Sequence, residues 1–244
     1  MNSTLQHAWR DTLDVVFPRS CVHCHGLVEG GRLRHLCPAC ARALRVVEAP
    51  HCVTCGHPYS GEMLDNRICP HCESLVPAFG QGKTAVLLKG PGRSLIHALK
   101  YHQGLHVLED IAAIMAAVPG YADYLRGAVL VPVPLHPRKL RERGYNQSRL
   151  LAECCVQAVD GQARIEELLR RAVDTVSQTH FDRATRQENL KNAFALAPGA
   201  AITPGQHYIL VDDVFTTGST LNACAAILRR AGCLSLDVIT FGHG

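Results

Sequence analysis

The chain has no hydrophobic run near the roughly eighteen residues that cross a bilayer, and its N-terminus lacks the basic-then-apolar order of a secretory signal. Both absences predict a cytoplasmic protein. Aromatic residues are scarce, at 5%, which argues against an extended platform on which nucleobases stack. Nor is this the composition of a disordered chain, since 47% of its residues are hydrophobic. A length of 244 residues allows one α/β domain with a small appendage. Charge is not one-sided either: the net value is +4, and residues 1–75 hold seven basic and seven acidic side chains. The excess lies downstream. Residues 138–149 alone carry five basic residues and one acid.

Cysteine, by contrast, is plentiful and clustered. Eight of the twelve lie between Cys21 and Cys72, in the pattern Cys21-x2-Cys24-x12-Cys37-x2-Cys40 and then Cys52-x2-Cys55-x13-Cys69-x2-Cys72. The two units are an internal repeat. Each Cys-x2-Cys turn can place two thiolates on one ion, and two turns complete the four-sulfur tetrahedron that zinc favours. Eight cysteines thus imply two Zn²⁺ sites. Sequential ligation closes the shorter loops, with crossed pairing as the alternative. With all four protein ligands present neither site keeps a position for water, so both are read as structural. His23, His25, His35, His51, His57 and His71 flank the knuckles and are read as surface residues. So small a ribbon pair has little core, and metal must supply much of its folding energy. Cys154, Cys155, Cys224 and Cys233 lie in apolar surroundings and read as core.

The rest of the chain falls into segments around this region. Leu5, Trp9, Leu13 and Val16 recur at helical spacing, which predicts an amphipathic helix within residues 1–18. Residues 19–75 form the double ribbon, and Pro77, Gly80 and Gly82 mark the break before a second domain at 82–244. There, residues 84–88 read as a strand, and Leu95, Ile96 and Leu99 as part of a helix interrupted near Gly104. Lys100-Tyr101 at its end could face the site, with a lysine on the helix surface as the preferred reading. A buried strand at 129–134 runs into a basic loop, followed by a helix over about 148–159. Residues 172–192 are polar and aperiodic, which suits a lid over a site or a surface linker. Strands alternating with helices predict a parallel sheet with helices on both faces and a ligand at the carboxyl ends of the strands.

Residues 208–221, YILVDDVFTTGSTL, carry the most chemistry. Four apolar residues make a short strand, Asp212 and Asp213 stand at its carboxyl end, and small residues lead into a helix near Leu221. Thr, Gly and Ser let consecutive backbone N–H groups converge on a phosphate at a helix N-terminus. The two carboxylates can accept hydrogen bonds from vicinal hydroxyls, so the run suits a sugar phosphate. A solvated acidic turn or a Mg-nucleotide site are the alternatives. The basic stretch at 138–149, delivered by a strand to a helix start, suits a pyrophosphate, a nucleic-acid backbone, or both.

The 208–221 run resembles the phosphoribosyl-pyrophosphate (PRPP) motif of type I phosphoribosyltransferases. Together with the Cys-x2-Cys repeats, Pro132-Val133-Pro134 with residues 141–148, and the pattern of Arg171, Gln178, Arg186, Asn189 and Phe194, it resembles the ComF family. That resemblance implies a type I phosphoribosyltransferase-like sheet behind a double zinc ribbon, and a part in natural competence and DNA uptake. It implies PRPP binding by Asp212, Asp213, Val214, Thr216, Thr217, Gly218, Ser219 and Thr220, with the acids on the ribose hydroxyls. Arg138, Lys139, Arg143 and Gly144 would face pyrophosphate, Gln178, Arg186 and Asn189 would belong to the flexible loop, and Mg²⁺ would travel with PRPP. Single-stranded DNA and a competence helicase, or another DNA-uptake protein, are the implied macromolecular partners. Two departures stand out. Purine-salvage relatives carry an acid where this chain has Thr216, so no general base is evident. His180-Phe181-Asp182 and residues 240–243 also differ from the family pattern.

Overall fold

The computed structural model describes residues 19–59, 67–101, 103–171 and 193–244. The helix expected within 1–18 and the Gln178, Arg186 and Asn189 segment lie outside them. In chain order the elements are α1 (Pro38–Arg42) and α2 (Pro70–Leu75) in the cysteine-rich part, then β1 (Gly82–Leu87), α3 (Pro91–Tyr101), α4 (Leu108–Ala116) and α5 (Tyr121–Leu125). They continue with β2 (Val129–Pro132), α6 (Pro137–Arg143), α7 (Gln147–Gln157), β3 (Arg164–Ile165), β4 (Leu169–Arg171) and β5 (Phe194–Leu196). Last come β6 (His207–Phe215), α8 (Ser219–Arg230) and β7 (Ser235–His243).

Five strands form one parallel sheet in the order β1-β7-β6-β2-β3, and β4 pairs with β5 antiparallel in a separate hairpin. β2 is buried along its whole length, as a strand covered on both faces must be. Alternation sorts the side chains. Leu130, Ile209, Val211, Ile239 and Phe241 pack with α3, α4, α5 and α7 on one face. Val129, Val131, Tyr208, Leu210 and Val238 pack with α8 and the β4–β5 hairpin on the other. The expected class, a parallel sheet with helices on both faces behind a cysteine-rich ribbon, is what the chain adopts.

The chain leaves β2 toward β3 on one side and returns at β6 on the other. The order therefore reverses between β2 and β6, the switch point at whose carboxyl ends open sheets of this kind carry their ligand crevice.

The buried cysteines of the cysteine-rich part pack into the two clusters of the main sheet. Cys21, Leu36 and Cys40 join the first apolar cluster, while Cys52, Cys55, Cys69 and Cys72 join the second. Between the two units, Val47 N–H donates to Ala85 and Leu87 N–H to Arg45, so this link pairs along β1 and covers the edge of the sheet. Gly82 makes the approach possible: a Cβ there would stand 2.1 Å from the Thr54 carbonyl oxygen. Cys154, Cys155, Cys224 and Cys233 are buried, as their apolar surroundings predict.

Candidate functional site

β6 is longer than the sequence suggests. It continues through Asp212 and Asp213 to Phe215, because β7 also runs on to His243 and pairs with it residue by residue. The acids thus lie within the strand. Asp213 is 5% exposed, and its Oδ2 lies 2.6 Å from Lys100 Nζ. Lys100 therefore faces the site from the end of α3, which corrects the expectation of a surface lysine. Helical spacing could not tell the two apart, because Lys100 follows the buried Leu99 and sits beside the exposed Tyr101.

Asp212 Oδ1 accepts from Ser148 Oγ at 2.9 Å and from the Asp213 N–H at 2.8 Å. Burial, then the charge of Asp213, pushes the Asp212 carboxyl up to about 7, although those two hydrogen bonds and the Lys100 charge act in the opposite direction. Near neutral pH the Asp212 carboxyl therefore exchanges between its protonated and ionised forms. Such a pair can both accept and donate toward two neighbouring hydroxyls.

Residues 138–143 form a short helix rather than the expected loop. Pro137 starts α6, His136 Nδ1 caps it by accepting from the Arg138 N–H, and Gly144 at φ 85 ends it. Arg138 turns outward to Glu142 Oε1 at 2.9 Å, and Lys139 is exposed. Arg143 instead turns inward: it donates to Gln147 and lies 5.9 Å from the centre of the Tyr101 ring. The next turn is fixed by Asn146, whose side chain accepts from the Ser148 N–H and donates to the Val133 carbonyl at 3.0 Å. Tyr145 Oη also donates to the Leu99 carbonyl. The end of β2, the start of α7 and the end of α3 are thereby tied around Asp212 and Asp213. Of the residues expected at a pyrophosphate, Arg143 is held by Gln147 and Tyr101, Gly144 ends α6, and Arg138 and Lys139 are exposed, with Arg138 paired to Glu142. Lys100 and Ser148 contact the two acids, and both contacts become legible only in three dimensions.

Beyond Phe215, Gly218 takes φ 69 and caps the start of the twelve-residue α8. Thr217 Oγ1 lies 2.9 Å from Ser219 Oγ and accepts from the Ser219 N–H. Thr216 and Thr217 are exposed at the mouth of the crevice.

The ribbon region holds two cysteine tetrads: Cys21, Cys24, Cys37 and Cys40, and Cys52, Cys55, Cys69 and Cys72. Within each, the four sulfurs lie within 4.8 Å of one another. The grouping is sequential, not crossed. The donor chemistry fits a dication. In the second tetrad the Cys72 thiol donates to Cys55, which holds Cys55 well below and Cys72 well above the ordinary thiol range. One thiolate is thus stabilised by its neighbours, and a metal would stabilise all four. His243, 6% exposed, shares a cavity wall with Cys55, and its Nδ1 donates to the Gly244 carbonyl at 3.0 Å.

Comparison with known proteins follows this geometry. Residues 12–75 match the family model of the double zinc ribbon domain. Over 222 residues the chain is 28% identical to competence protein F of Haemophilus influenzae, covering 89% of this chain and 94% of that protein. It is 31% identical over 207 residues to the DNA utilization protein YhgH of Escherichia coli K12, covering 83% of this chain and 88% of the relative. The chain belongs to the ComF family. Competence protein ComFC of Bacillus subtilis, another member, is 24% identical over 81% of this chain and 79% of its own length. Among solved structures, a hypoxanthine phosphoribosyltransferase from Staphylococcus aureus aligns with a TM-score of 0.34 at 16% identity, over 55% of this chain and 62% of that one. As in the sequence, this ComF-family chain offers no acidic side chain at Thr216. Among its described residues, no helix is long and apolar enough to cross a membrane.

Proposed function

We propose that this ComF-family protein binds PRPP with Mg²⁺ in the crevice between β2 and β6 and acts in the handling of incoming DNA. The observation that carries the reading is the adjacency of the two strand exits. The register Pro132 to Val211 sets the start of the Arg143 and Gly144 segment beside Asp212 and Asp213. Thr216, Thr217, Gly218, Ser219 and Thr220 at the start of α8 supply the N–H groups and positive dipole end that a 5-phosphate needs. Asp212 and Asp213 take the ribose hydroxyls, and Val214 spaces them from the phosphate turn. Lys100 pairs with Asp213, Arg143 is held by Gln147 next to Ser148, and both charges suit the pyrophosphate. Mg²⁺ would enter with the ligand and offset the pyrophosphate charge, with Asp212 and Asp213 as the carboxylates near it.

In a transferase this arrangement would favour loss of pyrophosphate from C1 by positioning and by charge stabilisation. The acceptor is not specified by the residues at the site. Titration of the zinc-loaded protein with PRPP and Mg²⁺ by calorimetry tests the reading, with Asp213→Asn expected to weaken binding at least tenfold. Binding that is absent, or unaltered by Asp213→Asn, overturns it. A screen of nucleobases and amines for pyrophosphate release then separates an enzyme from a binding protein.

A second reading is favoured by Thr216 and by α6. With no acid to take a proton and an outward basic helix, the protein would bind single-stranded DNA, or brace another DNA-uptake protein such as a helicase, without turnover. The competence and DNA-utilization names of the relatives agree with either reading.

A further inference from the structure

We propose that His71, on the second ribbon, is a positioning residue for the phosphate turn, so that this ribbon forms one wall of the candidate PRPP site. The inference starts from one hydrogen bond. His71 Nε2 lies 3.1 Å from the carbonyl oxygen of Thr217, 146 residues away in sequence. A trans peptide is rigid, and its C=O and N–H point in opposite directions. Fixing the Thr217 carbonyl toward His71 therefore turns the Gly218 N–H the other way, toward the open start of α8. An N–H group in that direction is what a phosphate at the turn would require.

The contact is part of a larger seam. Leu75 Cδ2, one turn further along α2, would stand 2.8 Å from a Cβ on Gly218. Ala78 N–H donates to Asn222 Oδ1 at 2.7 Å, and the Phe79 and Phe215 rings meet edge to face at 6.4 Å. Thr216 and His71 share a cavity of about 450 Å³ with Cys55, Cys69, Tyr59 and His243. His71 lies between the ligands Cys69 and Cys72, so metal at the second tetrad holds α2, and α2 holds the turn. The first ribbon docks elsewhere: Asp110 of α4 accepts the N–H groups of Arg34 and His35 at 2.7 and 2.8 Å, on the opposite face of the sheet. The two ribbons are equivalent in sequence but not in what they hold.

Naming the anion rests on the proposed function; the geometry of the turn does not. The test therefore uses two readouts on the full-length, zinc-loaded protein: hydrogen exchange of the amides at 216–220, and calorimetric titration with PRPP and Mg²⁺. His71→Phe should keep two zincs per chain, speed exchange at the turn about tenfold and weaken PRPP about fivefold. His71→Gln, which keeps an N–H donor, should recover part of both. If His71→Phe sheds zinc, Leu75→Ala loosens the same seam without altering a knuckle turn and should also speed exchange at 216–220. Wild-type exchange at the turn in both His71→Phe and Leu75→Ala overturns the inference. Faster exchange in a protein that binds no PRPP would sustain the positioning role and sink the PRPP reading alone.

Discussion

Lys100 Nζ lies 2.6 Å from Asp213 Oδ2 and carries the end of α3 onto the floor of the crevice. The Asp213 side chain is 7% exposed and the Lys100 side chain 24%, so the pair is largely withdrawn from water. Removing one partner leaves a buried charge without compensation. Lys100→Met is expected to cost about 2 kcal/mol in urea unfolding, less than a fully buried pair would because the ammonium keeps some solvent. The double variant Lys100→Met with Asp213→Asn should recover most of that loss. A double variant no more stable than Lys100→Met would show that the two residues are not coupled.

Asp212 sets a dependence on pH. Its carboxyl is pushed up to about 7 in the folded chain, chiefly by burial and then by Asp213, against about 3.9 when unfolded. Between these values the folded state keeps a proton that the unfolded state has released. Its contribution to stability is therefore complete below about pH 4, falls as pH rises, and is lost above about pH 7. Asp212→Asn keeps an oxygen for Ser148 and for the Asp213 N–H, and removes this slope. Unfolding curves at pH 4 and pH 8 should show the variant near wild type at the lower value and about 1–2 kcal/mol more stable at the higher.

Gly218 combines two constraints, a φ of 69 and a Cβ position 2.6 Å from Phe215 Cζ. Gly218→Ala must strain the backbone and displace the Phe215 ring or Leu75. A loss of about 2 kcal/mol is expected, with PRPP affinity falling further than stability because the turn itself moves. Differential scanning fluorimetry with and without PRPP reads both quantities.

Zinc removal should reach well beyond the ribbons, since Cys21, Cys37 and Cys40 of the first tetrad and all four cysteines of the second pack in apolar clusters that also include sheet residues. A chelator strong enough to strip both sites is expected to lower Tm by about 10 °C or more. A metal-free protein melting at the wild-type temperature would contradict that coupling.

Single-stranded DNA offers a separate check on α6. If Arg138, Lys139 and Arg141 contact a phosphate backbone, affinity should fall steeply with salt, and Arg138→Glu with Lys139→Glu should flatten that slope by about two. PRPP affinity should fall by less than DNA affinity, because Arg138 is engaged by Glu142 and both side chains are exposed, where salt screens their charge. Fluorescence anisotropy at several salt concentrations measures the slope.

Local chemistry determined much of this protein from the sequence alone. Cysteine spacing specified eight ligands for two metal sites and favoured their sequential grouping, because that closes the shorter loops, but the crossed alternative was decided against only by the folded positions of the sulfurs. Alternating strands and helices specified a parallel sheet, and residues 208–221 specified the turn into α8, because a small-residue run after an apolar strand carries its own geometry. Tertiary structure alone decided which distant groups meet there. Lys100 enters because α3 ends over β6, Ser148 because α7 starts beside it, and His71 because the second ribbon docks on α8. The helix at 137–143 replaced an expected loop through its caps, His136 and Gly144, which charge patterning does not register. Contacts spanning 64, 113 and 146 residues follow from the order in which strands are laid into a sheet, and no periodicity along the chain records that order.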